Sequence, residues 1–369
     1  MLNSAGRFTS GVFACACIVA LGHVSSVWGA EGIGLESSGV IALGEDQKMN
    51  KPRISPAPKA DKLEGDKRKK REAGGKDEAR LAHGVSLWPE LKASEQKEIV
   101  AQHKEHLKSI QDMFPQLRFH LIETDYFLLF SDLSPADLKS YAPYLDGMYK
   151  RLLTLFEVKG KPNIWRGKAL IIIFVHNEAY MAYEKKTFNH VPPGTSPGVC
   201  HLRSNGDVIT SMRVTELNRK LLAAVIVHET THGFVWRYKT NAHIPTWINE
   251  GLAEYVANLI VPGFRARDEQ LAIRGLQQQR QIPAGFFGAP DSAVQYGLAY
   301  NLTKYMISAN PKKYKTFFVN LKNGMTEEEA LQDVYGIRRD VLIAQYGRAI
   351  GIPNLQLDPA DAPPAVVKP

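Results

Sequence analysis

After residue 84, segments with apolar side chains at helical spacing are interspersed with short apolar segments typical of strands. Residues 93–110 and 135–158 repeat them at helical spacing, which predicts two helices. Residues 119–130 are rich in aromatic and β-branched side chains and are predicted to be extended, with a break near residues 123–126. Residues 169–175 form a continuous apolar run, the pattern of a buried strand. The first half of the folded chain should therefore mix strands with helices.

A turn signal precedes the longest helical pattern. Residues 198–203 and 207–212 are two extended segments joined across Asn205-Gly206, a pair that tolerates the positive φ of a tight hairpin turn. The helix that follows is marked by apolar side chains at helical spacing: Leu221, Leu222, Val225, Ile226, Phe234 and Val235. Beyond residue 294 the chain is predicted to be mainly helical, at residues 296–308, 311–321, 326–334 and 338–350.

The predicted helix that follows the hairpin carries the sequence HETTH at residues 228–232. His228 and His232 are four residues apart, so their imidazoles lie one above the other and can reach one ion from the same side. A catalytic zinc keeps three protein ligands and one open position for water, which requires a third ligand further along the chain. Glu250 is predicted to be that ligand, because the intervening residues suffice to end one helix, turn at residues 241–245 and begin another.

Two further glutamates complete the predicted site. Glu254 follows Glu250 by one helical turn and could accept the second ring N–H of a ligand histidine, which fixes its tautomer. Glu229 flanks the ligands and is placed to take a proton from water on the metal, whose pKa zinc lowers from about 15.7 to about 7. A lone HExxH arises by chance, but burying two histidines and two glutamates is costly unless they are paired or bind a metal. The pattern therefore predicts a Zn²⁺ site.

HETTH together with WINEGLAEY at residues 247–255 resembles the gluzincin metallopeptidases. The second segment is similar to the asparagine-glutamate-glycine signature of aminopeptidase-N-like enzymes, and to the thermolysin arrangement of an acidic residue four positions after the ligand glutamate. The overall resemblance is to bacterial secreted peptidase MA-like families. It implies His228, His232 and Glu250 as zinc ligands and Glu229 as general base, with Glu254 orienting a ligand.

The resemblance also implies a fold class and a catalytic role for a tyrosine. The fold would be α+β and thermolysin-like, with a small mixed sheet beside the metal helix and a mainly helical C-terminal half. Residues 198–212 would supply the edge strand that lines the cleft and binds an extended peptide. In the segment 295–300 (QYGLAY), Tyr296 would stabilise the oxyanion, unless it is a core residue; Tyr300 is the alternative.

The predicted function is hydrolysis of peptide or protein substrates. Two alternatives remain open: a non-catalytic, zinc-stabilised extracytoplasmic binding protein, and a zinc hydrolase of a non-peptide substrate. The intact Glu229 favours catalysis, because a degenerate enzyme is expected to lose its base before its ligands. The exopeptidase motif of aminopeptidase N is not seen before the metal helix, so an endopeptidase is favoured.

Residues 1–30 have the pattern of a secretory signal peptide: Arg7, an apolar run over residues 11–22, and small residues at the end. The alternative is that this segment is not cleaved and anchors the protein in a membrane. The protein is predicted to be secreted or periplasmic. Removal of the signal takes away Cys15 and Cys17 and leaves Cys200, so no intramolecular disulfide is expected in the mature chain. Cys200 should be an inert, partly buried thiol, with thiolate ligation to zinc as the alternative.

The formal charge of +8 is largely local. Residues 48–71 hold ten lysines and arginines against three acids, with almost no large apolar side chains, so the segment is predicted to be disordered. No nucleic-acid partner is expected. The basic segment is interpreted as a plain linker, with a contact to an anionic surface as the alternative. The predicted organisation is a signal peptide (1–30), a disordered basic linker (31–83), a catalytic α+β subdomain (84–260), a helical subdomain (261–352) and a Pro/Ala-rich disordered tail (353–369).

Overall fold

A computed structural model describes residues 12–15, 81–160, 162–193, 196–214 and 218–361. All of them belong to one unit of the chain, made of Met1–Leu21 and Ala79–Pro369. The predicted signal peptide, apart from residues 12–15, and nearly all of the predicted basic linker lie outside the described residues. Across these described ranges, no helix has both the length and the apolar character needed to cross a membrane.

The central element is a mixed sheet of six strands in the order β1-β5-β6-β4-β3-β2. The strands are β1 (Val12–Cys15), β2 (His120–Glu123), β3 (Phe127–Ser131), β4 (Ala169–Phe174), β5 (Gly198–Arg203) and β6 (Val208–Arg213). β4 runs parallel to both β3 and β6, while β2, β5 and β1 are added antiparallel. All six residues of β4 are buried, which explains its unbroken apolar sequence.

Eleven helices are described within residues 81–361, and those after residue 213 make the C-terminal half helical, as predicted. They are α1 (Ala93–Met113), α2 (Pro135–Lys139), α3 (Ala142–Leu155), α4 (Asn177–Phe188), α5 (Arg219–Arg237), α6 (Thr246–Ile260), α7 (Ala266–Gln279), α8 (Ala293–Ala309), α9 (Pro311–Lys322), α10 (Glu327–Tyr335) and α11 (Arg339–Ala349). The α+β fold class is confirmed: a small mixed sheet precedes a mostly helical half.

The pleat of the sheet separates two groups of buried side chains. Ile171 and Ile173 point to the face covered by α5 and belong to a large cluster that also takes in α3, α6 and α8. Leu170 and Ile172 point to the opposite face, where α1 and α4 cover them. Residues on both sides of position 260 contribute to the large cluster, so the sheet and the C-terminal helices share one core.

Two predicted boundaries differ from the structure, and one helix has no counterpart in the predictions. The helix predicted over residues 135–158 is split between α2 and α3, because Pro143 lies in the first turn of α3, where it needs no hydrogen-bond donor. α7 was not predicted, since its only buried residues are Ala272 and Leu276 and its apolar pattern is sparse. Residues 353–361, assigned to the disordered tail, instead pack on the fold: Leu355 is buried and Gln356 bridges to Gln281.

α6 and α8 approach each other closely at a glycine. A Cβ at Gly251 would collide with the backbone oxygen of Ala299 and with the hydroxyl of Thr303. The side chain of the buried Trp247, in the first turn of α6, donates a hydrogen bond to Glu327 Oε2 at 3.0 Å. α6 is therefore fixed from both α8 and α10, and this fixes the side chains that α6 presents to α5.

Candidate metal centre

α5 is a buried helix with a defined start. The side chain of Asn218 accepts hydrogen bonds from the backbone N–H groups of Lys220, at 3.0 Å, and Leu221, at 3.3 Å, which satisfies donors that a helix N-terminus leaves free. The helix packs between the sheet and α6, and nearly all of its residues from Leu222 onward are buried. Both histidines of HETTH are consequently enclosed, at 0% and 1% exposure.

The three predicted ligands meet at one point. His228 Nε2 lies 3.1 Å from His232 Nε2, and Glu250 Oε2 lies 3.4 Å from the first nitrogen and 3.6 Å from the second. Tetrahedral zinc with bonds of about 2.0–2.1 Å holds its ligand atoms about 3.4 Å apart. The donor set therefore fits a zinc ion, and α5 and α6 bring it together as their spacing predicted.

Glu229 lies beside these ligands and is fully buried. No side chain among the described residues donates a hydrogen bond to its oxygens; only the backbone N–H of Cys200 faces them. Burial, together with the charges of Glu250 and Glu254 and against that of His228, raises the pKa of Glu229 to about 8. A divalent cation on the neighbouring ligands would oppose this rise. The carboxylate is thus placed to accept a proton near neutral pH.

Glu254 contacts the other nitrogen of His228, with Oε1 3.3 Å from Nδ1. Arg265, at the start of α7, donates from Nε and Nη2 to the two oxygens of Glu254, and from Nη1 to Asp268 Oδ2 at 2.7 Å. Burial raises the pKa of Glu254, but Arg265 and His228 outweigh it and lower that pKa to about 2. Glu254 is therefore an anion clamped between a guanidinium and an imidazole.

The two histidines have different surroundings. Burial lowers the pKa of His228, but Glu254 and Glu250 outweigh it and hold that pKa well above its ordinary value. Burial also lowers the pKa of His232, and there the lowering prevails despite Glu250 and a hydrogen bond with Asn249. His232 therefore favours the neutral form that binds metals, whereas a metal must compete with a proton at His228.

Sequence reasoning missed two of these residues. Arg265 follows a turn in a segment with no recognisable motif, so no local signal links it to Glu254. The sequence motif contains Asn249 but gives it no role of its own, although it lies next to Glu250. A carboxylate predicted to be buried needs a cation, and this requirement was the signal that could have prompted a search for Arg265.

β5 passes directly beside Glu229. A Cβ at Gly198 would lie 3.3 Å from Glu229 Cγ and 3.1 Å from Met212 Cβ, so a side chain there would crowd the carboxylate. The predicted edge strand over residues 198–212 is not the edge of the described sheet, because β1 lies outside β5. β1 pairs antiparallel with the outer edge of β5, with Cys15 opposite Cys200.

The region that holds this arrangement can be compared with known families. Residues 173–350 match the Peptidase MA superfamily. The matched range begins within β4 and ends after α11, so it includes α5, α6 and α8. The match supports a metallopeptidase-like domain of the MA type. No curated protein matches the chain.

Within this Peptidase MA-like region, the predicted tyrosine occupies the first turn of α8. Tyr296 is 4% exposed, and α8 packs on α6, the helix that carries Glu250. Tyr300 accepts a hydrogen bond from Asn258 at 3.0 Å, about two turns beyond Glu250 along α6. A role for Tyr296 at the oxyanion stays a prediction.

Cys200 is fully buried rather than partly buried as predicted. Its side chain belongs to the large hydrophobic cluster, and Thr210 Oγ1 lies 3.8 Å from its sulfur. It is absent from the group of three potential ligands formed by His228, His232 and Glu250. These contacts are those of a packed core thiol.

Proposed function

We propose that the protein is a secreted, zinc-dependent metallopeptidase. The observation that carries the proposal is the convergence of His228 Nε2, His232 Nε2 and Glu250 Oε2 beside the buried carboxylate of Glu229, inside a region that matches the Peptidase MA superfamily. His228, His232 and Glu250 would hold the zinc. When bound, zinc supplies Lewis-acid polarisation of a carbonyl and acidifies water.

The protein's own groups then perform the proton transfers. Glu229 accepts a proton from the attacking water and later delivers it to the leaving amine. Glu254, held by Arg265, keeps His228 Nδ1 protonated, so that Nε2 stays free to coordinate. Tyr296 is proposed to donate a hydrogen bond to the developing oxyanion.

The general base is tested by Glu229→Gln, which keeps the shape of the side chain but cannot accept the proton. We expect kcat to fall by at least about 10²-fold, the lower end of general-base contributions, while zinc content is unchanged. Peptide cleavage and metal content are measured on the same purified samples. Glu250→Ala should lose the zinc ion of this site together with the activity.

Glu98→Gln, at an exposed position on α1, is the matched control and should behave like the wild type. Full cleavage by a zinc-loaded Glu229→Gln protein would show that the base lies elsewhere. Retention of zinc without cleavage of any peptide by the wild type would favour the binding-protein alternative.

We further propose that the enzyme is an endopeptidase that binds its substrate along β5. The pairing of β1 supports this, because the outer edge of β5 accepts an extended antiparallel segment. Backbone pairing of this kind gives affinity without recognition of chain ends. Peptides blocked by N-acetylation and C-amidation should therefore be cleaved as fast as free peptides, within about twofold. Mass spectrometry of a blocked and a free library decides this; cleavage restricted to free ends would contradict it.

A further inference from the structure

We propose that Glu184, His190 and His201 form a second site for a divalent transition metal, of the zinc class, separate from the HETTH centre. The three residues come from different parts of the fold. Glu184 lies on α4, His190 in the segment that follows α4, and His201 on β5. One ligand atom from each lies within 4.8 Å of the others.

The proposed site is on the opposite face of the sheet from α5. Cys200 and Leu202, the neighbours of His201 along β5, belong to the cluster on the α5 face. Because successive side chains of a strand point to opposite faces, His201 points toward α4. Its cross-strand partner Ile209 belongs to the cluster on that same side. The two candidate metal centres are therefore divided by the sheet.

Both imidazoles converge on a single carboxylate oxygen. Glu184 Oε2 lies 2.9 Å from His201 Nε2 and 3.1 Å from His190 Nδ1. The hydroxyl of Ser211 donates to the other oxygen, Oε1, at 2.5 Å. Ligand carboxylates are commonly held by such an outer hydrogen bond. Zinc bonds of about 2.0–2.2 Å require separations of about 3.4 Å, so a few tenths of an ångström of opening admits the ion.

The charge of Glu184 calls for a cation. The carboxylate is fully buried, and its oxygens lie within hydrogen-bond distance of His190, His201 and Ser211. The ion pairs recorded for Glu184 among the described residues are both with imidazoles, which are cationic only when protonated. Buried carboxylates are paired with charges or coordinate metals. A divalent ion between the three groups would neutralise this anion.

Neighbouring residues orient the proposed ligands, and one ligand is accessible from solvent. Phe188 stacks on the His201 ring with centroids 3.5 Å apart and planes 6° apart, which sets the plane of the imidazole. Asn189 ends α4 with φ of 52°, and this left-handed turn brings His190 back over Glu184. The side chain of His190 is 23% exposed, so the site is accessible from solvent at this ligand.

Such an ion would tie the segment after α4 to β5, the strand whose opposite face borders Glu229. Neither the ligands nor the charge argument uses the proposed peptidase activity, so this inference goes beyond it. The second metal would act by position: it would hold the strand that we propose binds substrate.

Metal counting on the full chain tests the proposal. Purified protein is stripped with a chelator, reloaded with Zn²⁺, dialysed and measured by elemental mass spectrometry. The wild type should hold two zinc ions per chain, and Glu250→Ala and His190→Ala one each. The double variant should hold none. His190 is chosen because it is partly exposed, and thermal unfolding checks that its variant remains folded.

His243→Ala, which removes an exposed histidine outside both clusters, is the control and should keep two ions. Two ions in His190→Ala, or none in Glu250→Ala, would overturn the second site. A wild type with one ion that only Glu250→Ala loses would also overturn it, while leaving the peptidase proposal intact. A single ion lost only in His190→Ala would support the second site and contradict the proposed catalytic centre.

Discussion

At the scale of single residues, the candidate centre is an uninterrupted chain of charged contacts. Asp268 holds Arg265, Arg265 holds Glu254, and Glu254 holds His228. Arg265 and Asp268 hold Glu254 against Nδ1 of His228, and through it we expect them to favour the tautomer of His228 that is protonated on Nδ1. The same logic applies to Asn249 and His232. Orientation of the ligands thus depends on residues that a motif of five letters does not contain.

Arg265 provides the first test at this scale. Arg265→Met leaves the buried carboxylate of Glu254 without its guanidinium, and we expect zinc affinity to fall by about 10–100-fold. Stability should fall by about 3–5 kcal/mol, the range for breaking a buried ion pair. Chelator competition measures the affinity, and urea unfolding the stability. Arg265→Lys should retain more zinc affinity and stability than Arg265→Met but less than the wild type, because an ammonium cannot donate to both carboxylate oxygens as a planar guanidinium does. Wild-type zinc affinity in a folded Arg265→Met protein would contradict the positioning role.

At the scale of elements, the sequence was informative wherever a motif coincided with a periodic pattern. The β5–β6 hairpin follows from Asn205-Gly206, and Gly206 has the expected positive φ of 91°. α5 and α6 follow from apolar spacing around HETTH and Glu250. α7 could not be predicted in the same way, because it is held mostly by α8 and shows few buried positions. Arg265 belongs to this unpredicted element, so the missed helix and the missed residue have one cause.

The C-terminal end of α5 supplies a prediction at this scale. Lys322, fully buried at the end of α9, donates from Nζ to the carbonyl oxygens of Val235 at 3.0 Å, Trp236 at 3.4 Å and Ala242 at 3.0 Å. Carbonyls at a helix end need such donors. Lys322→Met should therefore destabilise the fold by about 2–4 kcal/mol, because the carbonyls of Val235 and Ala242 lose this donor. Urea unfolding measures the change.

Lys312→Met, at an exposed position of α9, is the matched control and should change stability by less than about 0.5 kcal/mol. Equal midpoints for the two variants would mean that the three carbonyls do not depend on Lys322.

At the scale of the whole molecule, the mixed sheet and the helical half could be predicted, but the order of the strands could not. β4 lies between β3 and β6, a placement that depends on parallel pairing between segments distant in sequence. No local pattern encodes such pairing; it results from burying β4 on both faces. The shared core also means that α5 and α6 are joined by contacts across the whole fold. Metal binding should therefore stabilise the entire unit and not only the site.

Metal and pH should act together on unfolding. Zinc at about 100 times its Kd should add about 3 kcal/mol, so chelation lowers the thermal midpoint. The pKa of His228 is raised, so protons compete with the metal as pH falls and the zinc-dependent difference should shrink. The pKa of Glu254 is lowered from 4.5 to about 2, so its contribution is complete above pH 4.5 and is lost as pH falls toward 2. Thermal scans across pH, with and without chelator, measure both effects. A chelator effect that grew on acidification would contradict this account.

β5 has only six residues, and every surface of it is engaged. One face borders Glu229, the other face carries His201, and its outer edge pairs with β1. We therefore expect substitutions at most positions of β5 to disturb one of these contacts. Differences in substrate choice among proteins built this way would then have to arise in elements other than β5. The part of the molecule nearest the substrate would be the part least able to change.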